Sequence, residues 1–264
     1  MGVHLKIEGV GRRFSQKQGE YIAVRDINLE VQPGEVVSII GHSGCGKSTV
    51  LNMIAGLDKP SVGQMTLDGQ PVKGPGRDRG MVFQHHGLLP WLSIYDNVLV
   101  AVQSAFDEQQ SGKERRTERA VQSVGLWEHR HKKPGQISGG MKQRTAVARA
   151  FAIEPKMLLL DEPFGALDAL TKASLHEELV SLWSADKEHK TVLIVTHDID
   201  EAIYLSDRVV VMTNGPAATI AEVVDVQLPR PRDKRQVAYL PAYAELRDHL
   251  LGRLTRGPEA RMAV

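Results

Sequence analysis

A single cysteine, Cys45, stands among 264 residues, so no intrachain disulfide can form, and a reducing compartment fits that usage. No stretch approaches the roughly 20 apolar residues a membrane helix needs. The longest apolar runs, such as residues 157–160 with their flanks, have the length of buried strands. Residues 1–8 lack the long apolar core of a signal peptide. Charge of one sign is lacking as well: 33 Lys and Arg face 32 Asp and Glu, a net charge of +1, which leaves no electrostatic footprint for nucleic acid or an anionic lipid surface. No internal repeat or low-complexity tract is found. What remains is an ordinary soluble globular composition, 42% hydrophobic and 25% charged, enough for one well-buried domain or two small lobes. Any membrane role must come through a partner.

Short β-branched runs alternate with amphipathic helical stretches, which predicts an α/β fold with mostly parallel central strands. Val36–Ile40, 157–160, 192–196 and 209–212 are continuous apolar runs, the pattern of strands covered on both faces. Residues 3–35 and 59–80 predict a smaller antiparallel β layer, with Asp58-Lys59-Pro60-Ser61 and Asp68-Gly69 supplying turn chemistry. From about 85 to 154 the pattern is helical and polar, and 104–120, rich in Gln, Glu, Arg and Lys, fits an exposed helical lobe with solvated faces. After Asn214-Gly215-Pro216 a tail begins, interrupted by Pro229, Pro231 and Pro241. It ends in a helix whose apolar stripe is Tyr243, Leu246, Leu250 and Leu254.

Gly41-His42-Ser43-Gly44-Cys45-Gly46-Lys47-Ser48 matches G-x-x-x-x-G-K-[ST], directly after the strand Val36–Ile40 and before a helical run at 49–55 that opens on Thr49. That context makes the pattern a phosphate site. Glycines let backbone N–H groups converge on phosphate oxygens, and the helix N-terminus adds a favourable dipole. Lys47 would neutralise the β- and γ-phosphates, and the Ser48 hydroxyl would ligate Mg²⁺. A carboxylate at the end of a buried strand completes such a site. Asp161 would hold Mg²⁺, and Glu162 is placed to polarise an attacking water. Alone, two acids at a strand end could be a solvated terminus; beside the Lys47 loop that reading loses ground.

Ile137-Ser138-Gly139-Gly140-Met141-Lys142-Gln143-Arg144 resembles the signature of ABC (ATP-binding cassette) ATPases, usually written L-S-G-G-Q-x-Q-R. It opens a helix, with Val147, Ala150 and Phe151 at helical spacing and Pro155 beyond its end. The remaining marks follow in order. Gln84 resembles the Q-loop glutamine that reaches Mg²⁺ and the water. Gly165-Ala166-Leu167-Asp168 resembles the D-loop, and His197 the switch histidine contacting the γ-phosphate. Asp161 lies 23 residues after Ser138, and the resemblance runs from about residue 5 to 213. Ile137 and Met141 replace the usual Leu and Gln, but neither position supplies the hydroxyl or the glycine donors. The resemblance implies a P-loop NTPase cassette over residues 1–230, with a helical subdomain at about 85–154 and a tail at 231–264. It implies a head-to-tail dimer in which Ser138, Gly139 and Gly140 cap ATP held by the other subunit, and an aromatic stacked on adenine, for which Phe14 is the first choice and Tyr21 the alternative.

A single cassette without a membrane span looks like a prokaryotic importer subunit on the cytoplasmic face of the membrane. Its partners would be transmembrane permease subunits, a second ATPase subunit, identical or not, and, indirectly, a periplasmic or surface anion-binding protein. Gly87-Leu88-Leu89-Pro90-Trp91-Leu92 resembles the cassettes of nitrate, bicarbonate, taurine and aliphatic sulfonate importers. Pro90 and Trp91 would give a rigid, partly apolar surface for a partner's coupling helix. The runs 212–218 and 228–233 look most like the nitrate and bicarbonate branch, which favours nitrate. A different class, a soluble ABC ATPase acting in translation or on DNA, would need a second cassette or a long coiled coil, and neither is found. Cys45 is expected to fill space in the loop without a chemical role.

Overall fold

A computed structural model describes residues 4–16, 19–165, 167–184 and 190–256. The strands are β1 (Leu5–Gln16), β2 (Gly19–Val31), β3 (Val36–Ile40), β4 (Val62–Leu67), β5 (Gln70–Pro71), β6 (Arg79–Val82), β7 (Met157–Asp161), β8 (Thr191–Val195), β9 (Arg208–Met212) and β10 (Ile220–Asp225). The helices are α1 (Lys47–Ala55), α2 (Ile94–Ala105), α3 (Gln110–Ser123), α4 (Gly139–Ala152), α5 (Ala169–Ser184), α6 (Ile199–Leu205), α7 (Lys234–Val237) and α8 (Pro241–Arg256). They fall into two compact units, one of residues 1–75 and 191–264, the other of residues 76–190.

In the first unit, β3 lies between β8 and β9 and runs parallel to both, and β10 closes that edge antiparallel to β9. All five residues of β3 and of β8 are buried. That is why these strands read as unbroken apolar runs instead of alternating ones. A four-stranded antiparallel sheet in the order β2-β1-β4-β5 forms the smaller layer. Its inward residues Leu5, Ile7, Val10, Ile27 and Leu29 are buried. The left-handed turn at Asp68-Gly69 joins β4 to β5, as its composition requires.

The tail differs from its sequence reading. The residues after Asn214-Gly215-Pro216 form β10, which alternates intermediate and exposed positions and carries only a weak apolar signal. Beyond it Arg232 is buried and donates to the carbonyls of Ile203 (2.9 Å), Tyr204 (3.1 Å) and Ser206 (2.6 Å) at the end of α6, and of Val226 (3.3 Å). One guanidinium thus satisfies carbonyls a helix end leaves open. Burial drives its pKa down to about 10. The stripe of α8 packs against α6 and β9. Leu250 is fully buried, and Tyr243 Oη and Arg247 Nε each donate to Asp200 Oδ1 at 2.8 Å.

In the second unit β6 and β7 pair in parallel, and α2, α3 and α4 pack together, with α4 also against β6 and α5. The polar stretch 104–120 spans the end of one helix and most of the next. α2 ends at Ala105, and Phe106–Gln109 turn the chain before α3. Among the described residues no helix is long and apolar enough to cross a membrane.

Candidate active site

The Lys47 loop is built by backbone conformation. Gly44 (φ +78°) and Gly46 (φ +96°) take left-handed geometry between β3 and α1. At Gly46 a Cβ would lie 2.5 Å from Val24 Cγ1, so only glycine fits. Gly46 is the N-cap of α1 and provides no side-chain cap to the first-turn N–H groups. Lys47 is buried, and its Nζ donates to Gly41 O (2.8 Å) and His42 O (3.0 Å), which folds the ammonium back over the loop. Cys45 is buried, and its Sγ would lie 2.8 Å from a Cβ placed on Gly41. It fills the space that glycine leaves, and burial pushes the thiol's pKa up, away from a reactive thiolate.

Other named residues of this unit stand as follows. His197 is exposed just past β8; beside it Asp198 caps α6 by accepting from Glu201 N at 3.0 Å. Phe14 and Tyr21 are direct partners across the β1–β2 ladder, and the Arg12 guanidinium sits 4.4 Å above the Phe14 ring. Phe14 is 36% exposed. The ring of His42 shares a 2.8 Å hydrogen bond with Leu254 O, which brings the end of α8 to the phosphate loop; nothing in the sequence signalled that contact.

In the second unit, β7 ends on Asp161, which is buried. Glu162 follows with φ +44°, a left-handed conformation that a residue with a Cβ adopts at a cost of about 1–3 kcal/mol. Such strain persists where its surroundings hold it. Here Gln84 Nε2 donates to Glu162 Oε2 at 3.0 Å, so the amide orients the carboxylate. Among the described residues no group of three or more His, Cys, Asp or Glu could hold a metal ion. Within this unit Asp161 is a hard oxygen donor of the kind Mg²⁺ takes one or two of when it arrives with nucleotide phosphates.

Ser138 is the N-cap of α4 and accepts from Met141 N at 3.3 Å; Ser138 and Gly139 are exposed and Gly140 is buried. Asp168 accepts from Thr171 N (3.0 Å) and Thr171 Oγ1 (2.6 Å), so the D-loop carboxylate caps α5. The Thr171 hydroxyl holds its pKa below the ordinary aspartate value. Ala166 lies outside the described residues.

Sequence reasoning missed the residues that hold the Gln84–Ser93 loop. Arg149 on α4 donates to Gly87 O (2.6 Å) and His86 O (2.9 Å), and the His86 ring pairs with Gln143 Oε1 at 2.6 Å. From α2, the fully buried Asn97 accepts from Leu89 N (2.8 Å) and donates to the carbonyls of Leu89, Leu92 and Ser93. Between these anchors Trp91 is 65% exposed. Polar residues on the inward side of apolar helices were the signal available.

A Lys47 loop after a buried strand, a strand-end acid pair and a serine-capped glycine helix start define an ATP-binding cassette. The ABC transporter family model matches residues 24–165, more than half of the chain, which therefore belongs to that family. The chain is 51% identical over 253 residues to the nitrate import ATP-binding protein NrtD of Synechococcus elongatus, covering 96% of this chain and 92% of that protein. It is 49% identical to the bicarbonate transport ATP-binding protein CmpD of the same species, over 94% of this chain and 88% of that protein. The ATP-binding cassette MJ0796, solved as a dimer in a post-hydrolysis state bound to ADP and Pi, superposes with a TM-score of 0.76 at 31% identity, covering 85% of this chain and all of that one.

Proposed function

We propose that this chain energises an importer of a small anion, nitrate in the first place, by hydrolysing ATP at the cytoplasmic face of the membrane. It works as one of two ATPase subunits bound to transmembrane permease subunits, with an external anion-binding protein delivering substrate to the permease. The Lys47 loop carries the reading: its glycine-capped helix start offers N–H donors and an ammonium with no competing side-chain cap.

In this reading Gly41–Thr49 cradle the triphosphate, with Lys47 leaving its two carbonyl partners for the β- and γ-phosphates. Ser48, Asp161 and Gln84 would hold Mg²⁺, whose charge offsets that on the phosphate oxygens. Glu162, oriented by Gln84, accepts the proton of the water that attacks the γ-phosphorus, and His197 donates to the γ-phosphate oxygens as charge builds on them. Phe14 stacks on the adenine. Ser138, Gly139, Gly140 and Asp168 act on the nucleotide of the partner subunit. The solved MJ0796 dimer supports that pairing, and the relatives' names support an anion substrate.

The exposed Trp91 supports a docking surface for the permease, whose substrate pathway this subunit need never touch. The test is transport by the complete complex in proteoliposomes with labelled nitrate, bicarbonate and taurine. ATP-dependent nitrate uptake that stops when Glu162 is replaced by Gln is expected. Uptake of taurine alone would overturn the substrate, and ATP turnover indifferent to every permease would overturn the transport role.

A further inference from the structure

The geometry points to His86, Gln143 and Arg149 as positioning residues that fasten the permease-facing loop to the signature helix, so that docking at Trp91 is felt at Ser138. The inference rests on the transport reading above. Within one compact unit, the loop at 84–93 touches three things in sequence. Gln84 holds the Glu162 carboxylate, His86 and Gly87 are held by α4, and Leu89–Ser93 are held by Asn97 with Trp91 exposed among them.

The attachment to α4 is not what packing alone would produce. Gln143 is fully buried, and its Nε2 has no hydrogen-bond partner among the described residues, while its Oε1 meets the His86 ring at 2.6 Å. Leucine would fill that space without leaving a buried donor unsatisfied. Arg149 is half-buried; desolvation depresses its pKa, and no carboxylate among the described residues opposes that. Both terminal nitrogens go to consecutive loop carbonyls, a two-point grip that only a guanidinium fork can make. The carbonyls face Arg149 because His86 (φ +63°) and Gly87 (φ +58°) are both left-handed. A Cβ on Gly87 would lie 3.2 Å from Phe83 Cδ2 and 3.4 Å from the Arg149 guanidinium, so the turn is fitted to its clamp. One strained residue, His86, and one buried amide with an unmatched donor, Gln143, meet at this junction. That junction links the loop to the helix whose first turn is Gly139-Gly140-Met141, two to four residues before Gln143. A rigid helix gripped near both ends of its first three turns moves as one body when the loop moves.

The test compares ATP turnover by the isolated subunit with turnover by the assembled complex with its permease, alongside thermal melts. Gln143→Leu is expected to keep isolated turnover within about twofold and to lose about fivefold or more of the permease-dependent stimulation, the range that coupling residues command. Arg149→Lys, which keeps the charge and loses the fork, is expected to do the same. His86→Ala combined with Gln143→Leu should be no worse than either alone, since one link is broken. Stimulation preserved in both single variants overturns the inference. So does an equal loss of isolated and stimulated turnover with a lowered melting temperature, which would make the cluster structural; if Gln143→Leu fails to fold, Arg149→Lys decides on the same criteria. A wild-type complex that its permease does not stimulate would instead count against the transport reading.

Discussion

At the start of α1 the cap is Gly46, left-handed and without a side chain to spend; at the start of α4 it is Ser138, whose hydroxyl already accepts from Met141 N at 3.3 Å. The first start is closed in by its own fold, with Lys47 buried and Val24 where a Cβ would go. The second is open: Ser138 and Gly139 are exposed, and a Cβ on Gly139 would come no nearer than 3.7 Å to Leu167. Glycine at position 46 is demanded by this chain's own packing. Glycine at position 139 is not, so its reason lies with something that approaches from outside. In the proposed reading, one helix start grips a ligand and the other is presented to one.

The sharpest way to join the two is to stop the chemistry without touching either. Glu162→Gln should bind ATP yet lose about 10²–10⁴-fold of turnover, the usual cost of a removed base. It should accumulate as an ATP-bound dimer on a sizing column. Phosphate release at the wild-type rate would refute the role given to Glu162.

Next in size is Gly46→Ala. The left-handed φ and the 2.5 Å approach to Val24 force the loop to shift. ATP affinity is expected to fall about tenfold or more, the equivalent of 1–3 kcal/mol of strain, in a fluorescent-nucleotide titration. Gly139→Ala is the control and should leave the isolated subunit's melting temperature unchanged.

The comparison breaks or holds most directly in a mixture. Lys47→Ala and Ser138→Arg homodimers should each be nearly inactive. Mixed in equal amounts with random pairing, they should regain about a quarter of the wild-type number of intact sites, because each heterodimer joins one good loop to one good signature. Nucleotide trapping reads the number. No recovery, with heterodimers shown to form, would mean that one chain builds a whole site.

The smallest effect belongs to Ser138→Ala. Loss of a serine cap costs about 1 kcal/mol, a shift of a few degrees in melting temperature for a chain of this size. A larger loss of turnover than of stability would assign the hydroxyl to the nucleotide as well as to the helix.

How much of this was legible follows the same division. The Lys47 loop could be read because its requirements are local: glycines where φ must be positive, a buried strand before and a helix after. The strands β3, β7, β8 and β9 were legible within a residue because burial on both faces leaves an unbroken apolar run. Strand β10 was not, since its solvated face and edge position dilute the pattern. The left-handed backbone of Glu162, the Arg232 clasp and the clamp of Gln143 and Arg149 were also beyond reach. Each is fixed by partners tens of residues away, as with Arg149 and His86, 63 positions apart. Motifs record what a ligand requires of a short segment; they do not record what holds that segment still.

Asn97 bears on how fast the subunit finds its permease. By tying one N–H and three carbonyls of the Leu89–Ser93 segment, it orders that segment before any encounter. Association ordinarily loses about 0.5–1.5 kcal/mol for each side chain it must immobilise, and a loop already fixed escapes most of that loss. Under the proposed role Trp91 waits in its docking geometry, and recognition becomes a collision between preformed surfaces, its rate limited by orientation instead of by folding of the loop.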